Sequence, residues 1–596
     1  MSAHIKYLDG KRFFRALIAG GKRVIQNQAY LNKINVFPVA DADTGSNLAL
    51  TMKAIMESSR SVQSMKETIN SVADAALSGA RGNSGIIFAQ YLHGLSRELP
   101  EKGALSIRHF ADSAHKAVSY LYSSLMNPVE GTMLTVIREW AENLVEQSQK
   151  TPDFLHALSE SLIAARQSLK DTPNKLKVLA DAGVVDAGAS GFVSFLEGIM
   201  DYIHKGSLRT RDTTPLNITA VDASEAHTGA PDKYRYCTEA ILSGFSCSTN
   251  LIKGSIGAMG DSFIMAGGED KLHLHIHTNE PDRVFAELFK FGEVSGAKVD
   301  DMLRQYQLSH EPTFPIGMVT DSASDLPLEL LDHYHIVQIP FGINFGTRSY
   351  LDKLNLTSKG FYPLLRKDPI HPHSSQPSPL AVKTALDLAA GSYERVIAVH
   401  LSDKLSGIYR SSLAQASKDY PDKVAVIDSK QLSVTEGLMT YRVARAIEAG
   451  MSFEEIIQQA PVWSENTTIY TDINTLKYMV RGGRVPPLAG FIAAVLNLKP
   501  IVSLDKEGKA LVYGKSFSRA RNMNKIIHII KNEMQSRPIW EYAIVHAEAE
   551  ERAQQYADIL TAMTGKKPAW IMPLSPVVGV HNGPGAVAIG VAYEQH

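Results

Sequence analysis

The sequence predicts a multidomain protein in which an all-helical domain, a small α+β domain and a larger α/β domain follow one another. Up to about residue 205, apolar residues recur at helical spacing, as at Met65, Ile69 and Val72. Short alternating runs such as "KLHLHIHTNEP" then favour strands. Beyond them a strand, a polar turn and an amphipathic helix repeat, as in "RVIAVHLSDKLSG", which is typical of an α/β sheet.

The sequence also predicts where one domain ends and the next begins. The stretch from Gly206 to Lys233 is rich in Thr, Asp, Ala and Pro and has no period, which indicates a linker. We therefore expect domains at 1–205, 206–312 and 313–596. In the last of these, a ligand should bind beyond the carboxyl ends of the strands, where turns containing Ser and Asp fall.

Composition limits the partners and the compartment. The 61 lysines and arginines nearly balance the 62 aspartates and glutamates, so we predict no nucleic-acid partner. Two cysteines are too few for a disulfide framework, and no stretch approaches the roughly 20 apolar residues of a membrane span. Because Arg15 and Lys22 also break the short apolar patch near the N-terminus, we expect a cytoplasmic protein.

Two carboxylates lie two residues apart in the stretch "NVFPVADADTGSN", from Asn35 to Asn47. Hard cations such as Mg²⁺ prefer one or two carboxylates together with phosphate oxygens, a use that Asp41 and Asp43 fit. An Asx-turn or a helix N-cap is the alternative, because the following "LALTMKAIM" is typical of a helix.

A glycine-rich loop, "SGARGNSG", runs from Ser78 to Gly85 between two helical segments. Several backbone N–H groups near a helix N-terminus make the loop a candidate anion site. A plain turn between helices is the alternative interpretation.

The strand "HIHT" places His275 and His277 on one face, since side chains alternate with period two. With Cys237 as a third ligand, they suit Zn²⁺ with one open position, and His273 is an alternative ligand. A buried apolar cysteine beside hydrogen-bonded histidines would explain the same pattern.

Two serine-containing turns, "HSSQPSP" and "LSDKLSGIYRSS", lie in the last domain. Hydroxyls and helix-start amides together can hold a carboxylate, whereas ordinary helix capping is the alternative. No G-x-S-x-G signature accompanies them, which argues against a covalent nucleophile.

Four motifs in the first 205 residues resemble those of the nucleotide-binding domain of the bacterial fatty acid kinase catalytic subunit. They are "NVFPVADADTGSN", "GARGNSG", "PVEGTMLTV" and "AGVVDAGASG", in that order. That domain is itself similar to the ADP-binding subunit of dihydroxyacetone kinase. The resemblance implies a helical barrel in which Asn35, Asp41 and Asp43 hold Mg²⁺ against ATP. It also implies nucleotide contacts from Ser46, Asn47, Gly82, Asn83, Ser84, Thr132, Met133, Asp186 and Gly188.

The middle segment resembles the middle domain of the same family through "YCTE" and "HTNEP", and there the matching cysteine and histidines bind zinc. Residues 314–596 resemble the DegV family of fatty-acid-binding proteins through "VTDSASDLP", "SSQPS", "LSGIY", "VIDS", "RGGRV" and "HNGPGAVAIG". This second resemblance implies a fatty acid ligand, with Arg484 at the mouth where phosphate would arrive. The implied substrate-binding residues are Ser374, Ser375, Ser406, Gly407 and His581.

Together these resemblances imply ATP-dependent phosphorylation of a bound fatty acid to an acyl phosphate by a fused kinase and acyl carrier. Two alternatives remain open: a kinase for another small substrate such as a hydroxyketone, and a lipid-binding protein whose nucleotide domain only senses ATP. We also expect a homodimer and a transient contact with a membrane or an acyltransferase.

Overall fold

The computed structural model describes residues 4–37, 43–204, 233–483, 499–516 and 518–594. The chain divides into two compact units, Met1–His310 and Glu311–His596. Each unit buries its own apolar core, around residues such as Leu48 and Phe192 in the first and Tyr470 and Tyr542 in the second.

The first part of the first unit consists of helices and one short strand pair, β1 (Leu8–Asp9) with β2 (Ala104–Leu105). The helices are α1 (Gly10–Gln26), α2 (Gln28–Lys33), α3 (Thr44–Ser58), α4 (Met65–Gly79), α5 (Gly82–Glu98), α6 (Ile107–Ser123), α7 (Met133–Lys150), α8 (Phe154–Lys170), α9 (Thr172–Lys175), α10 (Lys177–Ala182) and α11 (Ala187–His204).

Eight of these helices close into a ring. Each packs against the next in the order α1, α3, α4, α5, α6, α7, α8 and α11, and α11 packs back against α1. The ring forms because each helix turns an apolar stripe inwards, and aromatic side chains such as Phe88, Trp140 and Phe192 line the cavity inside it. Side-chain caps from Ser64, Thr132 and Asp153 begin α4, α7 and α8. The predicted helical barrel is therefore present.

The second part of the first unit is a four-stranded antiparallel sheet with helices. Its strands are β3 (Tyr236–Ser243), β4 (Asp261–Gly267), β5 (Lys271–Thr278) and β6 (Glu293–Asp301), in the spatial order β4-β5-β3-β6. The helices are α12 (Thr249–Gly257), α13 (Pro281–Phe291) and α14 (Met302–His310).

Hydrogen bonds join this sheet to the helical ring. His273 Nδ1 lies 2.8 Å from the Leu77 carbonyl oxygen near the end of α4. The Gly267 amide donates to Gln90 Oε1 of α5 at 2.7 Å, and the Met265 amide donates to the Ser124 carbonyl at 3.0 Å. The sheet therefore packs against the end of α4, the middle of α5 and the end of α6.

The second unit alternates strands and helices. Its strands are β7 (Ile316–Asp321), β8 (Val337–Ile339), β9 (Gly342–Phe345), β10 (Arg348–Leu351), β11 (His373–Ser375), β12 (Arg395–His400), β13 (Val424–Asp428), β14 (Thr467–Asp472), β15 (Lys499–Leu504), β16 (Ala510–Ser516), β17 (Ile539–His546), β18 (Ile571–Pro573) and β19 (Val587–Tyr593). Its helices are α15 (Leu328–His333), α16 (Ser358–Lys367), α17 (Pro379–Ser392), α18 (Ile408–Asp419), α19 (Val434–Glu448), α20 (Phe453–Glu465), α21 (Lys477–Arg481), α22 (Arg519–Glu533), α23 (Glu550–Thr564) and α24 (Pro576–Asn582).

Three sheets build this unit. A parallel sheet has the order β13-β12-β7-β8, a mixed sheet has the order β16-β15-β14-β19-β17-β18, and a small antiparallel sheet has the order β10-β9-β11. Helix α19 contacts both larger sheets, through β7 and β12 on one side and β14, β17 and β19 on the other. The predicted combination of helical, α+β and α/β domains is confirmed. None of the helices in the described ranges is long and apolar enough to cross a membrane.

Candidate functional site

The sheet of the first unit places a row of polar side chains on one face. In the register of β3 with β5 and β6, Cys237 lies opposite His277 and Asp300, and Glu239 lies opposite His275 and Lys298. Directly paired residues in a sheet point to the same face, so these six side chains project together.

These side chains share one pocket with two segments of the helical ring. The pocket has about 540 Å³ of empty space, part of it open to solvent. Its remaining walls come from the turn before α3, from the starts of α3 and α5, and from Met302 and Gln305 of α14. The candidate phosphate loop and the candidate metal ligands, which the sequence presents as separate features, therefore face the same space. The ring residues that line it are Asn35, Asp43, Thr44, Asn47, Gly82, Asn83 and Ser84.

The acidic turn reaches this pocket through Asp43 and Asn35. Asp43 immediately precedes α3, and its carbonyl oxygen accepts a hydrogen bond from the Asn47 amide at 2.8 Å. Thr44 Oγ1 donates to Asn35 Oδ1 at 2.8 Å, which fixes the amide oxygen of Asn35 beside the turn. Asp41 lies outside the described residues.

The glycine-rich loop forms the first turn of α5. Gly82 has a φ of +56°, and a Cβ there would collide with the side-chain amide of Asn47. Glycine is required for this backbone shape and for the close approach. The loop therefore presents the open N-terminus of a helix to the pocket, where an anion is favoured.

Other predicted nucleotide residues meet beside the same helix start. A Cβ on Gly188 would lie 3.0 Å from Ser84 Oγ, 3.3 Å from Met133 Cε and 3.4 Å from Asp186 Oδ1. Asp186 accepts a hydrogen bond from the Ala189 amide at 2.7 Å, and its burial raises the pKa of its carboxyl to about 6. Residues from three segments that are distant in sequence thus form one wall.

Two of the expected nucleotide residues have local partners instead. Ser46 Oγ accepts hydrogen bonds from Gln28 and Asn32, at 3.1 and 3.0 Å. Thr132 caps α7 and donates to the Val129 carbonyl oxygen at 2.8 Å. Neither residue is among the described residues that line the pocket.

The three expected zinc ligands cluster within the pocket. Ligand atoms of Cys237, His275 and His277 all lie within 4.8 Å of one another, and Cys237 Sγ is 3.7 Å from His275 Nδ1. Burial lowers the pKa of His277 to about 3, so this ring is neutral and can act as a ligand. Burial raises the pKa of the Cys237 thiol well above its usual value, and the charge of Glu239 adds to this rise.

The donor set fits zinc. One thiol and two imidazoles are ligands that Zn²⁺ takes in catalytic sites with an open fourth position. Within the described ranges, neither the buried His275 Nε2 nor Asn83 Oδ1 on the opposite wall has a hydrogen-bond partner. His273, the alternative ligand, instead places its ring nitrogen against the Leu77 carbonyl oxygen.

In the second unit, the two turns and α24 supply the expected carboxylate-binding residues. Ser374, on β11, has its hydroxyl 3.0 Å from His581 Nε2 of α24. Gly482, which follows α21, packs directly against the His581 ring. Arg484 lies outside the described residues, two positions further along the chain.

The other expected substrate-binding residues of these turns, Ser375, Ser406 and Gly407, also have local partners. Ser375 is exposed and accepts a hydrogen bond from Asn344 Nδ2 at 3.3 Å. Ser406 Oγ accepts from the Ile408 amide at 3.4 Å, while Gly407 packs against Gln376, just after β11. The two predicted turns therefore lie side by side.

Family models match three successive parts of the chain. The DAK2 domain model matches residues 38–201, the model of the FakA-like middle domain of fatty acid kinase matches residues 233–309, and the DegV family model matches residues 315–594. The chain contains all three domains. The predicted fusion is thereby confirmed, with the DAK2 and middle domains in the first compact unit and the DegV domain in the second.

Curated relatives share about half of this chain. An uncharacterised protein of Staphylococcus saprophyticus is 31% identical over 315 residues, which are 51% of this chain and 57% of that protein. The chain therefore spans little more than half the length of the curated relatives it matches.

Solved structures of DegV proteins are also similar to part of the chain. A fatty-acid-binding DegV family protein of Thermus thermophilus is 25% identical, with a TM-score of 0.44. A DegV fatty-acid-binding protein of Bacillus subtilis is 27% identical, with a TM-score of 0.43. Each match covers 47% of this chain and all of the other chain.

Three charged pocket residues of the middle domain escape the sequence analysis: Glu239, Lys298 and Asp300. Lys298 Nζ is 2.5 Å from Asp300 Oδ2. Burial by itself raises the pKa of Glu239, but Lys298 and the neighbouring histidines outweigh it and hold this pKa well below the usual range. Strand alternation alone could have placed Glu239 beside Cys237, whereas the two β6 residues require the register between strands.

Proposed function

We propose that the chain is a fatty acid kinase, which transfers the γ-phosphoryl group of ATP to a fatty acid held by its DegV domain. The observation that carries the proposal is one pocket of the first unit, which residues of the helical ring and of the middle sheet line together. It combines the acidic turn, the helix N-terminus at Gly82 and the Cys237, His275 and His277 cluster. An anion-binding loop beside carboxylate and amide oxygens is what Mg²⁺-bound phosphates require.

The chain's own residues would orient the phosphates. The helix N-terminus at the start of α5 would favour the phosphate charge, and the side-chain amide of Asn83, on the same wall, would donate an N–H to a phosphate oxygen. Lys298 is the only lysine or arginine among the described residues that line the pocket, and it would oppose the phosphate charge.

Both metal ions would add positive charge at this place. Mg²⁺, held by Asp43 with Asn35 and Asp41, would neutralise the phosphates, and Zn²⁺, held by Cys237, His275 and His277, would offer its open position to an anionic oxygen.

The proposed reaction balances without a protein nucleophile. A carboxylate oxygen of the fatty acid attacks the γ-phosphorus, the bond from this phosphorus to the β,γ-bridging oxygen breaks, and ADP leaves with the electron pair. The acid is already ionised near neutral pH, so no base is needed. In the DegV domain, the Ser374 hydroxyl and His581, whose Nε2 lies 3.0 Å from that hydroxyl, would hold the carboxylate.

The decisive experiment measures acyl phosphate, trapped with hydroxylamine, in the presence of ATP, Mg²⁺ and a fatty acid. Removing the Asp43 carboxylate with Asp43→Ala should reduce acyl phosphate formation at least ~100-fold, the usual scale for one electrostatic group at a reacting centre. Fatty acid bound to the purified protein, measured by mass spectrometry of a lipid extract, should not change.

Asp112→Ala, at an exposed aspartate of α6, serves as the matched control and should keep the parent rate. Turnover of ATP with a hydroxyketone but not with a fatty acid would replace the proposed substrate. Bound lipid and bound ATP without any phosphoryl transfer would favour the ATP-sensing alternative.

A further inference from the structure

Glu239 joins the two halves of the pocket. It is 1% exposed, and its Oε1 accepts a hydrogen bond from the Gly82 amide at 2.8 Å. The same oxygen lies 3.5 Å from His275 Nδ1, on the ring of an expected zinc ligand. One carboxylate therefore contacts both the candidate phosphate loop and the candidate metal cluster.

The Gly82 amide is a group that a phosphate would use. At the N-terminus of α5 the free N–H groups favour a negative charge, and the Glu239 carboxylate already supplies one. A phosphate arriving at this loop meets an anion that competes for the amide and repels it.

The second oxygen of this carboxylate is available to interact with a cation bound nearby. Glu239 Oε2 is buried and has no hydrogen-bond partner in the part of the chain that the structure describes. It lies 3.8 Å from Arg81 Nη1 and 3.9 Å from His273 Nε2. A cation bound by Cys237, His275 and His277 would lie next to Glu239 and would offset its charge. The repulsion of a phosphate at Gly82 would then fall.

We propose that Glu239 couples the two sites, so that metal bound at the Cys237, His275 and His277 cluster strengthens nucleotide binding at the start of α5. Glu239 acts here as a positioning residue, through Gly82 and His275. The inference rests on the proposed function for the identity of the nucleotide. Coupling of this kind is reciprocal, so the nucleotide must strengthen metal binding by the same factor.

The test measures binding and not turnover. The full chain is stripped of metal by dialysis against a chelator, and the β,γ-methylene analogue of ATP is titrated calorimetrically at constant Mg²⁺, with and without one equivalent of Zn²⁺. We expect Zn²⁺ to tighten analogue binding about five-fold or more. A competition assay with a coloured zinc chelator measures the zinc affinity of the protein, which should increase by the same factor when the analogue is present.

The informative variant is Glu239→Gln, which keeps an oxygen for the Gly82 amide but removes the charge. It should bind the analogue more tightly than the parent protein when both are metal-free, and its zinc dependence should shrink. A residue needed only for folding would instead weaken binding. Glu293→Gln, at an exposed position of β6, is the matched control and should retain the parent coupling.

If the parent protein binds the analogue equally tightly with and without zinc, the inference is wrong. This measurement needs only the parent protein, so it tests the inference even if Glu239→Gln does not fold. Full zinc dependence in Glu239→Gln would overturn it as well. A protein that makes acyl phosphate yet binds the analogue independently of zinc contradicts only the coupling. A protein that binds no analogue under either condition contradicts the proposed function too.

Discussion

Single side chains carry the chemistry proposed for both units. The hydroxyl of Ser374 faces His581 Nε2 at 3.0 Å, in a position suited to a carboxylate. Asp186 is buried, and its burial raises the pKa of its carboxyl to about 6, so the group keeps its proton at a higher pH than an exposed aspartate does. Each of these side chains allows a test.

If Ser374 and Ser406 hold the carboxylate of the fatty acid, the double variant Ser374→Ala with Ser406→Ala loses two donors. Each lost hydrogen bond should reduce the binding free energy of the carboxylate by about 1–3 kcal/mol, whereas the contacts of the acyl chain should not change. Acyl phosphate formation should therefore decrease much more than the amount of co-purified lipid. The hydroxylamine assay and mass spectrometry of the same preparations provide both values.

Ser392→Ala, at the last residue of α17, is the matched control for this double variant. A double variant that forms acyl phosphate at the parent rate would show that other residues hold the carboxylate.

Asp186→Asn should stabilise the protein at neutral pH. Below about pH 4 the carboxyl is protonated in the folded and the unfolded chain, whose usual pKa is 3.8. Between pH 4 and the folded pKa of about 6, the unfolded chain ionises first, and the parent protein loses up to about 3 kcal/mol of stability. The asparagine variant avoids this loss.

Thermal unfolding of both proteins between about pH 4.5 and 7.5 measures the difference. It should grow up to about pH 6 and then stay constant. Asp181→Asn, at an exposed aspartate of α10, should show no such trend. A difference independent of pH would contradict the raised pKa.

At the scale of elements, the start of α5 determines the pocket. Gly82 and Gly183 both have positive φ, at +56° and +66°, but a Cβ on Gly82 meets Asn47 whereas a Cβ on Gly183 meets no atom within 4 Å. Comparing alanine variants of the two glycines therefore distinguishes the effect of backbone strain from the effect of a steric collision.

Gly183→Ala should cost about 1–2 kcal/mol of stability through strain alone and leave nucleotide affinity unchanged. Gly82→Ala should cost more, and it should also weaken nucleotide binding about ten-fold or more because the loop has to move away from Asn47. Thermal unfolding and calorimetric titration of the two variants check this. Equal nucleotide affinities would indicate that the loop does not bind the phosphates.

The pairing of elements also explains what the sequence could and could not predict. Helical spacing and strand alternation predict the fold class, and alternation brings His275 and His277 together because the signal lies within one strand. The pocket that unites them with Gly82 depends on how β3 packs against α5, across a sequence separation of 157 residues between Gly82 and Glu239. Local patterns contain no information on such packing, so neither the contact of Glu239 with Gly82 nor the position of Lys298 could be predicted, although strand alternation could have placed Glu239 beside Cys237.

At the scale of the whole molecule, the chain joins two units with separate cores. A covalent link between a kinase domain and an acyl carrier raises their effective concentration to about millimolar, if the two sites can meet. One chain should then phosphorylate its own fatty acid more rapidly than it serves another chain.

Mixing two defective proteins tests this expectation. A chain with Asp43→Ala retains the carrier, and a chain with Ser374→Ala and Ser406→Ala retains the kinase site. At micromolar protein concentration the mixture should recover less than about one tenth of the parent activity, since transfer between chains lacks the millimolar effective concentration. Recovery close to the parent rate, measured with the hydroxylamine assay, would indicate transfer between chains.

In the middle sheet, the side chains of the pocket all occupy alternate positions of their strands. Cys237, Glu239, His275 and His277 are all odd-numbered positions of β3 and β5, and one inserted residue within either strand would turn the following side chains to the opposite face. Length changes inside these strands are therefore tolerable only in pairs, whereas the turn between β4 and β5 can change by single residues. During evolution, this pocket can be lost by a single-codon insertion that alters none of its amino acids.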